Sequence, residues 1–566
     1  MKPLLTLTLA LISFAALAQS KVSWGEEFKM HRSSTDLSIV YTDKSGVYME
    51  ESHDIMKVGF FSSRLRKSSI LVKLDANMAE QYRNDFDKEL KGKDFDRLFL
   101  IRDRLYLFAT DFNKKDNSLH LYAAEIDKGS GNLKGDWQEI YAWQKNDKKE
   151  EIDYNITLSE DSSKVVLTGT YTGKEQNRYE IKMMDANLKL IGKQLNISNE
   201  FDPKTFQVQD FVYTTSGNAI LIGRIYEYEE GKKKKDKFLQ FKNYSIRIYD
   251  LQGKMIKELS TDIDGKFLVT GKMIQLKNEL VLAAFYSNEK KRKEINGMLV
   301  QRLDPATGKV LMTAKKDLNN SLISEVEDDD GDDRKKKKDK DKDDDDEEGL
   351  TANLVFRNFY ITPDNGLVIL AEKFSRRVIE TSSYSPGFGP NAVGSWSHNT
   401  YVRYECGDIY MSKVSTAGNI DWLHVLPKSQ VETVQIGHSS SYGMGVSFWG
   451  FFDRADGRPF YAGFSSLPGK GTIHLFFNDN DKNADVLQPG RKIQRVTRFG
   501  ITSCYQVNLD MVTGKYTRKA IFSNKDIPTS MPRLGSVMNN TLWVTGKDDR
   551  TLAKSKIAVG KIVCAD

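Results

Sequence analysis

One phrase recurs along most of this 566-residue chain: an alternating apolar strand, a turn built on Asp, Asn or Gly, then a second strand. It reads ILVKLDANM from Ile70, LYAAEIDKGSGNL from Leu121, IKMMDANLKL from Ile181, SIRIYDLQGKMI from Ser245 and MLVQRLDPATGKVL from Met298, with later copies from Asp408 and Tyr505. A companion strand pair precedes most copies, as in RLFLIRDRLYLFATDF from Arg97 and FRNFYITPDNGLVILAEKF from Phe356. Both have the period-2 alternation and turn residues of β-hairpins. The turn aspartates Asp75, Asp127, Asp185, Asp250 and Asp304 stand 52, 58, 65 and 54 residues apart. A four-stranded unit at that period suits the blade of a β-propeller, whose small sheets bury their faces on one another. The expected fold is therefore all-β: a single propeller of eight blades, with seven as the alternative count. A pair of sandwiches or a β-helix is the structural alternative, and only Met78–Leu90 suggests a short helix.

The last repeat offers three strands, around 535–538, 542–546 and 556–563. Its missing outer strand is expected at Val22–Phe28, where Trp24 takes the place that Trp137 and Trp422 take in their own repeats. An N-terminal strand sewn into the last sheet would close the ring. In an up-and-down blade the 2–3 loops and the blade-to-blade connections leave from one face. The insertions 226–243, 286–295, 375–405, 145–151 and 319–352 all map there. Elaborated loops on a rigid ring are the usual place for binding.

The first residues read as an export signal: Lys2, an apolar stretch Leu4 to Leu17, and Ala16-Leu17-Ala18 before Gln19. The expected organisation is a signal peptide at 1–18 and a propeller domain at 19–566, exported to the periplasm, outer surface or medium. Aromatic residues make up 11% of the chain, which excludes global disorder, and a mean hydropathy of −0.51 excludes a bundle of membrane-spanning helices. Cys406, Cys504 and Cys564 allow at most one intramolecular bridge, and their spacing gives no zinc or C-x-x-C motif. From Glu327 to Glu348, 21 of 22 residues are charged, with a net of −7; this is expected to be a disordered, solvated insertion. The rest of the exported chain is then basic, with a net of +12.

Three features carry candidate chemistry. The insertion 375–405, read as a loop, holds Tyr384, Phe388, Trp396, Tyr401 and Arg403, aromatic faces and a cation suited to a glycan or protein. A self-packed loop is the alternative. Asp479, Asp481 and Asn483 place oxygen ligands at alternate positions that could hold one Ca2+, but Ala484 stands where a Ca2+ loop has Gly and such clusters commonly just make turns; no other cofactor is expected. Lysine runs at 232–235 and 290–293 share the elaborated face and suit an anionic partner. Gly437-His438-Ser439-Ser440-Ser441 approaches a nucleophile elbow but lacks its final Gly, and none of the seven His falls in H-E-x-x-H. No nucleic-acid module is recognisable, and the oligomeric state is not legible.

Two patterns resemble known families. LDPATGKVLMTA from Leu303 and LDMVTGKYTRKA from Leu509 are similar to the D-x-x-T-G-x-x-x-W repeats of quinoprotein dehydrogenases. Neither copy carries the closing Trp, and only the copy Ser415–Trp422 has it. More of the chain resembles secreted β-propeller-like repeat proteins of Gram-negative bacteria, a group with no assigned activity. That resemblance rests on Thr362–Leu370, Gly407–Trp422, Leu426-Pro427-Lys428 with Gln430, and FNDNDKN from Phe477. It covers about residues 350–563 and implies export and a propeller-like fold. The function expected is an exported, non-catalytic binding or assembly module that presents its loop-rich face to a protein or glycan of the cell envelope. The alternative is an exported propeller enzyme, quinoprotein-like or glycan-active.

Overall fold

In the computed structural model the chain is described from residue 20 to 564, apart from 32–33, 59–62, 160–162, 175–176, 193, 199–204, 214–217, 231–236, 251, 261–265, 277–278, 289–294, 319–325, 328–353, 386–394, 441–457, 527, 539 and 548–555. The expected signal peptide therefore lies outside the described residues, as do Phe388, both lysine runs and all but the first residue of the charged insertion.

Eight antiparallel sheets follow one another: blades 1 to 8 at 34–85, 94–144, 151–198, 206–260, 267–317, 354–426, 465–523 and 529–563. Blades 1 to 7 each place four strands in sequence order. Blade 8 takes its fourth strand from the start of the chain: Lys21–Trp24 pairs antiparallel with Lys556–Val563, Val22 opposite Ile562 and Trp24 opposite Gly560. Phe28–Lys29 extends that pairing to Ile557 and Lys556. The count is eight, and the ring closes by the N-terminal strand.

Burial explains why the strands read as they do. The second strand of blade 5, Glu279–Ser287, is buried at every position but its first, because a neighbouring blade covers each of its faces. Its fourth strand, Val310–Asp317, lies at the rim and is mostly exposed. Consecutive blades share apolar clusters: Phe285 stacks on Phe356 at 4.7 Å between blades 5 and 6, and Leu37 and Ile39 of blade 1 meet Met531 and Val559 of blade 8. The expected helix at Met78–Leu90 is not formed. Glu80–Asp85 is the rim strand of blade 1, and rim strands lack the apolar stripe that separates strand from helix.

The recurring Asp is a local hydrogen-bond acceptor. Asp185 Oδ1 takes the N–H groups of Asn187 and Lys189 at 2.8 and 2.9 Å, and Asp510 Oδ1 takes those of Val512 and Thr513 at 3.0 and 2.6 Å. The turn glycines then dock on the preceding blade. Gly514 (φ 71°) lies so close to Trp422 that a Cβ would come within 2.6 Å of its ring, while Trp422 Nε1 donates to Val512 O at 3.1 Å. Gly131 meets Tyr82 in the same way. One short turn thus fixes both a hairpin and a blade contact.

These turns make stability acid-sensitive. The Lys413 ammonium, 2.5 Å from Asp364 Oδ2, and the Thr362 hydroxyl hold the Asp364 carboxyl down to about 2. Hydrogen bonds from Ser130, Lys189, Ala306 and Thr513 likewise lower Asp127, Asp185, Asp304 and Asp510. An unfolded Asp titrates near 3.9, so on acidification the unfolded chain takes up protons first. The contribution is complete above about pH 5 and is lost towards pH 2. Asp364→Asn should melt below wild type at pH 6, with the gap narrowing by pH 3; a gap independent of pH would contradict this assignment.

Candidate functional site

The aromatic insertion is a β-ribbon rather than a loop. In blade 6 the second and third strands, Leu367–Ser385 and Ser395–Val414, run far past the sheet and stay paired from Phe374–Cys406 out to Ser385–Ser395. Gln430–Ser440 then pairs with 397–406 on the far side, making the extension three-stranded. The run 375–385 is rich in Ser, Thr and β-branched residues, which favour strands; its polarity made it read as loop.

Pairing divides the expected site residues between two faces. Tyr384 stands directly opposite Trp396, with ring centroids 5.2 Å apart, and Ser382 opposite His398, the serine hydroxyl 2.7 Å from His398 Nδ1. Tyr401 and Arg403 alternate onto the reverse face, where Arg403 Nε lies 2.8 Å from Glu405 Oε1. The five residues therefore do not form one surface. Tyr384 and Trp396 do, and they are 54% and 51% exposed.

At its root the ribbon is locked by buried charge. Glu372 and Lys428 are both fully buried, with Lys428 Nζ 2.9 Å from Glu372 Oε1. Lys428 also donates to Cys406 O and Gln430 Oε1, at 3.0 and 2.9 Å. A bulge in the first strand of blade 6 aims Arg357 at Glu372 Oε2, with Nε and an Nη at 2.8 and 2.6 Å. Arg533 of blade 8 completes the cluster at 3.6 Å, and a Cβ on Gly463 (φ 96°) would meet its side chain at 2.8 Å. Burial opposes ionisation of Glu372, but Lys428, Arg357 and Arg533 outweigh it and hold the carboxyl below its usual range.

The lock extends into blades 7 and 8. Glu432 accepts the N–H groups of Phe460, Tyr461 and Ala462 at 2.8–2.9 Å. Gln430 Oε1 accepts from Gly463 N at 2.7 Å, and its Nε2 donates to Asn478 O at 2.6 Å. Asn478 joins Asn524 and Ser530. Sequence reasoning assigned these residues no role, although Leu426-Pro427-Lys428, Gln430 and FNDNDKN were the pattern that stood out. Burial pushes the Cys406 thiol up to about 12, which disfavours the reactive thiolate. All three cysteines are buried and unbridged.

Asp481 and Asn483 lie on one 3-10 turn, and Asp479 ends the strand just before it; all three have protein partners. Asp479 Oδ2 is 2.6 Å from an Arg518 Nη. Asn483 turns its amide nitrogen to Asp479 Oδ1 at 2.8 Å and its oxygen to Gln494 N at 2.7 Å. Tyr505 OH donates to Asp481 at 3.1 Å. Among the described residues no group of three or more His, Cys, Asp or Glu is placed to hold a metal, and no helix is long and apolar enough to cross a membrane. A cleft of about 280 Å³ lies between blades 5 and 6, on the opposite, turn-bearing face. It is lined by Leu276, Glu279, Arg302 and Asn365 among others.

The fold is thus an eight-bladed β-propeller with a three-stranded ribbon rising from its loop face. No family model matches the chain, and no curated protein is similar to it. Among solved structures, an apocarotenoid oxygenase mutant of Synechocystis is 10% identical at a TM-score of 0.33, covering 88% of this chain and 92% of that one. The β-propeller domain of the Trilobed protease from Pyrococcus furiosus is 10% identical at 0.28, covering 70% and 94%. Prolyl oligopeptidase B from Galerina marginata is 12% identical at 0.29, covering 59% of this chain. The chain spans 38% of that peptidase's length. At such values the likeness carries nothing about activity, and the propeller rests on its own eight sheets.

Proposed function

We propose that the protein is an exported, non-catalytic binding module of the cell envelope that engages a protein or glycan through the ribbon of blade 6. The observation that carries this is the Tyr384–Trp396 pair, two large aromatic side chains half exposed on a support whose root is fixed by buried charges. Exposed aromatic surface on a preorganised element is what binding hot spots use, because little side-chain entropy is lost on contact. Export rests on the N-terminal signal pattern, and the basic balance of the body favours an acidic partner.

Replacing Tyr384 and Trp396 together with Ala should leave the melting temperature within about 2 °C of wild type, since exposed positions seldom exceed ±0.5 kcal/mol. Partner binding should fall at least roughly tenfold. Tyr401→Ala, on the reverse face, should weaken binding much less. Equal losses from the two faces would contradict the assignment.

A further inference from the structure

The ribbon has an edge as well as faces. Leu354 is the last residue of the first strand to pair with the second, opposite Lys373. From Phe374 onward, no strand among the described residues pairs with that side of 375–385. The stretch is long, with Val378 51% and Ile379 37% exposed. Such an edge is a template for another strand unless something blunts it.

Its charges are arranged for one occupant. We propose that a second copy of this chain adds its own 374–382 segment antiparallel to this edge, about a two-fold axis through Val378. Two-fold antiparallel pairing perpendicular to a sheet matches residue i with a residue of the same face. Centred on Val378, it sets Val378 against Val378 of the second copy and Arg376 against Glu380 of the second copy, twice over. Ile379 then lies opposite Arg377 of the second copy, along its aliphatic stem. Moving the centre to the next same-face residue, Glu380, would oppose two glutamates; moving it to Arg376 would oppose two arginines. The window 374–382 begins where the first strand of blade 6 leaves the edge and is symmetric about Val378. The dimer carries both Tyr384–Trp396 patches on the same side of one six-stranded sheet, so a repetitive or surface-bound partner would meet two sites at once. The interface does not depend on the proposed binding function and is tested without a ligand.

Sedimentation velocity on the whole chain over a concentration series reads the self-affinity. Wild type should dimerise in the micromolar range, and Arg376→Glu or Glu380→Arg alone should weaken dimerisation at least roughly tenfold, by opposing like charges. The double swap should return it to within about threefold of wild type, because the complementary pair is restored. A short bismaleimide should link Val378→Cys to itself and not Ser383→Cys, because Ser383 of the second copy would stand opposite Lys373, roughly ten residues of extended strand from Ser383 and beyond the linker's reach. A monomeric wild type, single swaps without effect, a double swap that fails to rescue, or equal linking at both positions would overturn the proposal. So would dimerisation that appears only once 328–348 is excised, which would assign the edge to the chain's own segment.

Discussion

Lys428→Met should lower the unfolding free energy by about 3–5 kcal/mol, the usual cost of stripping one partner from a buried ion pair. Methionine keeps the length of the side chain, so the loss reports charge rather than volume. Glu372 would retain Arg357 and Arg533, while Cys406 O would lose the Lys428 donor and Gln430 Oε1 would keep only Gly463 N. Glu372→Ala should cost more again. It leaves Lys428 fully buried without its carboxylate and sets two guanidiniums beside it with nothing between. The order of the two variants is the informative result. Urea unfolding that ranked Lys428→Met as the more damaging would mean that Glu372 is not the hub of the network.

Removing residues 21–29 should make the protein prone to aggregate. Blade 8 would lose its fourth strand, exposing the edge of Lys556–Val563 along its length. Trp24 would go as well, leaving Gly546 and Gly560 uncovered and Phe522 of blade 7 without its edge-on partner at 5.7 Å. The seam between blades 7 and 8 is thereby weakened at the point where the ring closes. A chain beginning near Ser33 that stayed dispersed, with an unchanged melting temperature, would show that closure contributes little.

The ring was largely legible because its signals are local. Period-2 alternation, a turn Asp and a turn Gly recur at a spacing that suits a four-stranded unit, and the missing fourth strand of the last unit pointed back to Trp24. Two things were not legible, each for a physical reason. Rim and ribbon strands have no core to face, so Glu80–Asp85 read as helix and 375–385 as loop. The Glu372–Lys428–Arg533 cluster unites residues from blades 6 and 8 and the segment after blade 6, and no spacing along the chain announces such a meeting. The ribbon error had a consequence: once 375–405 is paired strand, alternation places Tyr401 and Arg403 opposite to Tyr384 and Trp396.

The most direct test of the binding surface is a pull-down from the native cell envelope with wild type beside the Tyr384→Ala/Trp396→Ala variant, both shown to be folded and of equal oligomeric state. The account predicts a discrete protein or glycan recovered by wild type and reduced at least roughly tenfold by the variant. Equal recovery by both proteins would contradict it.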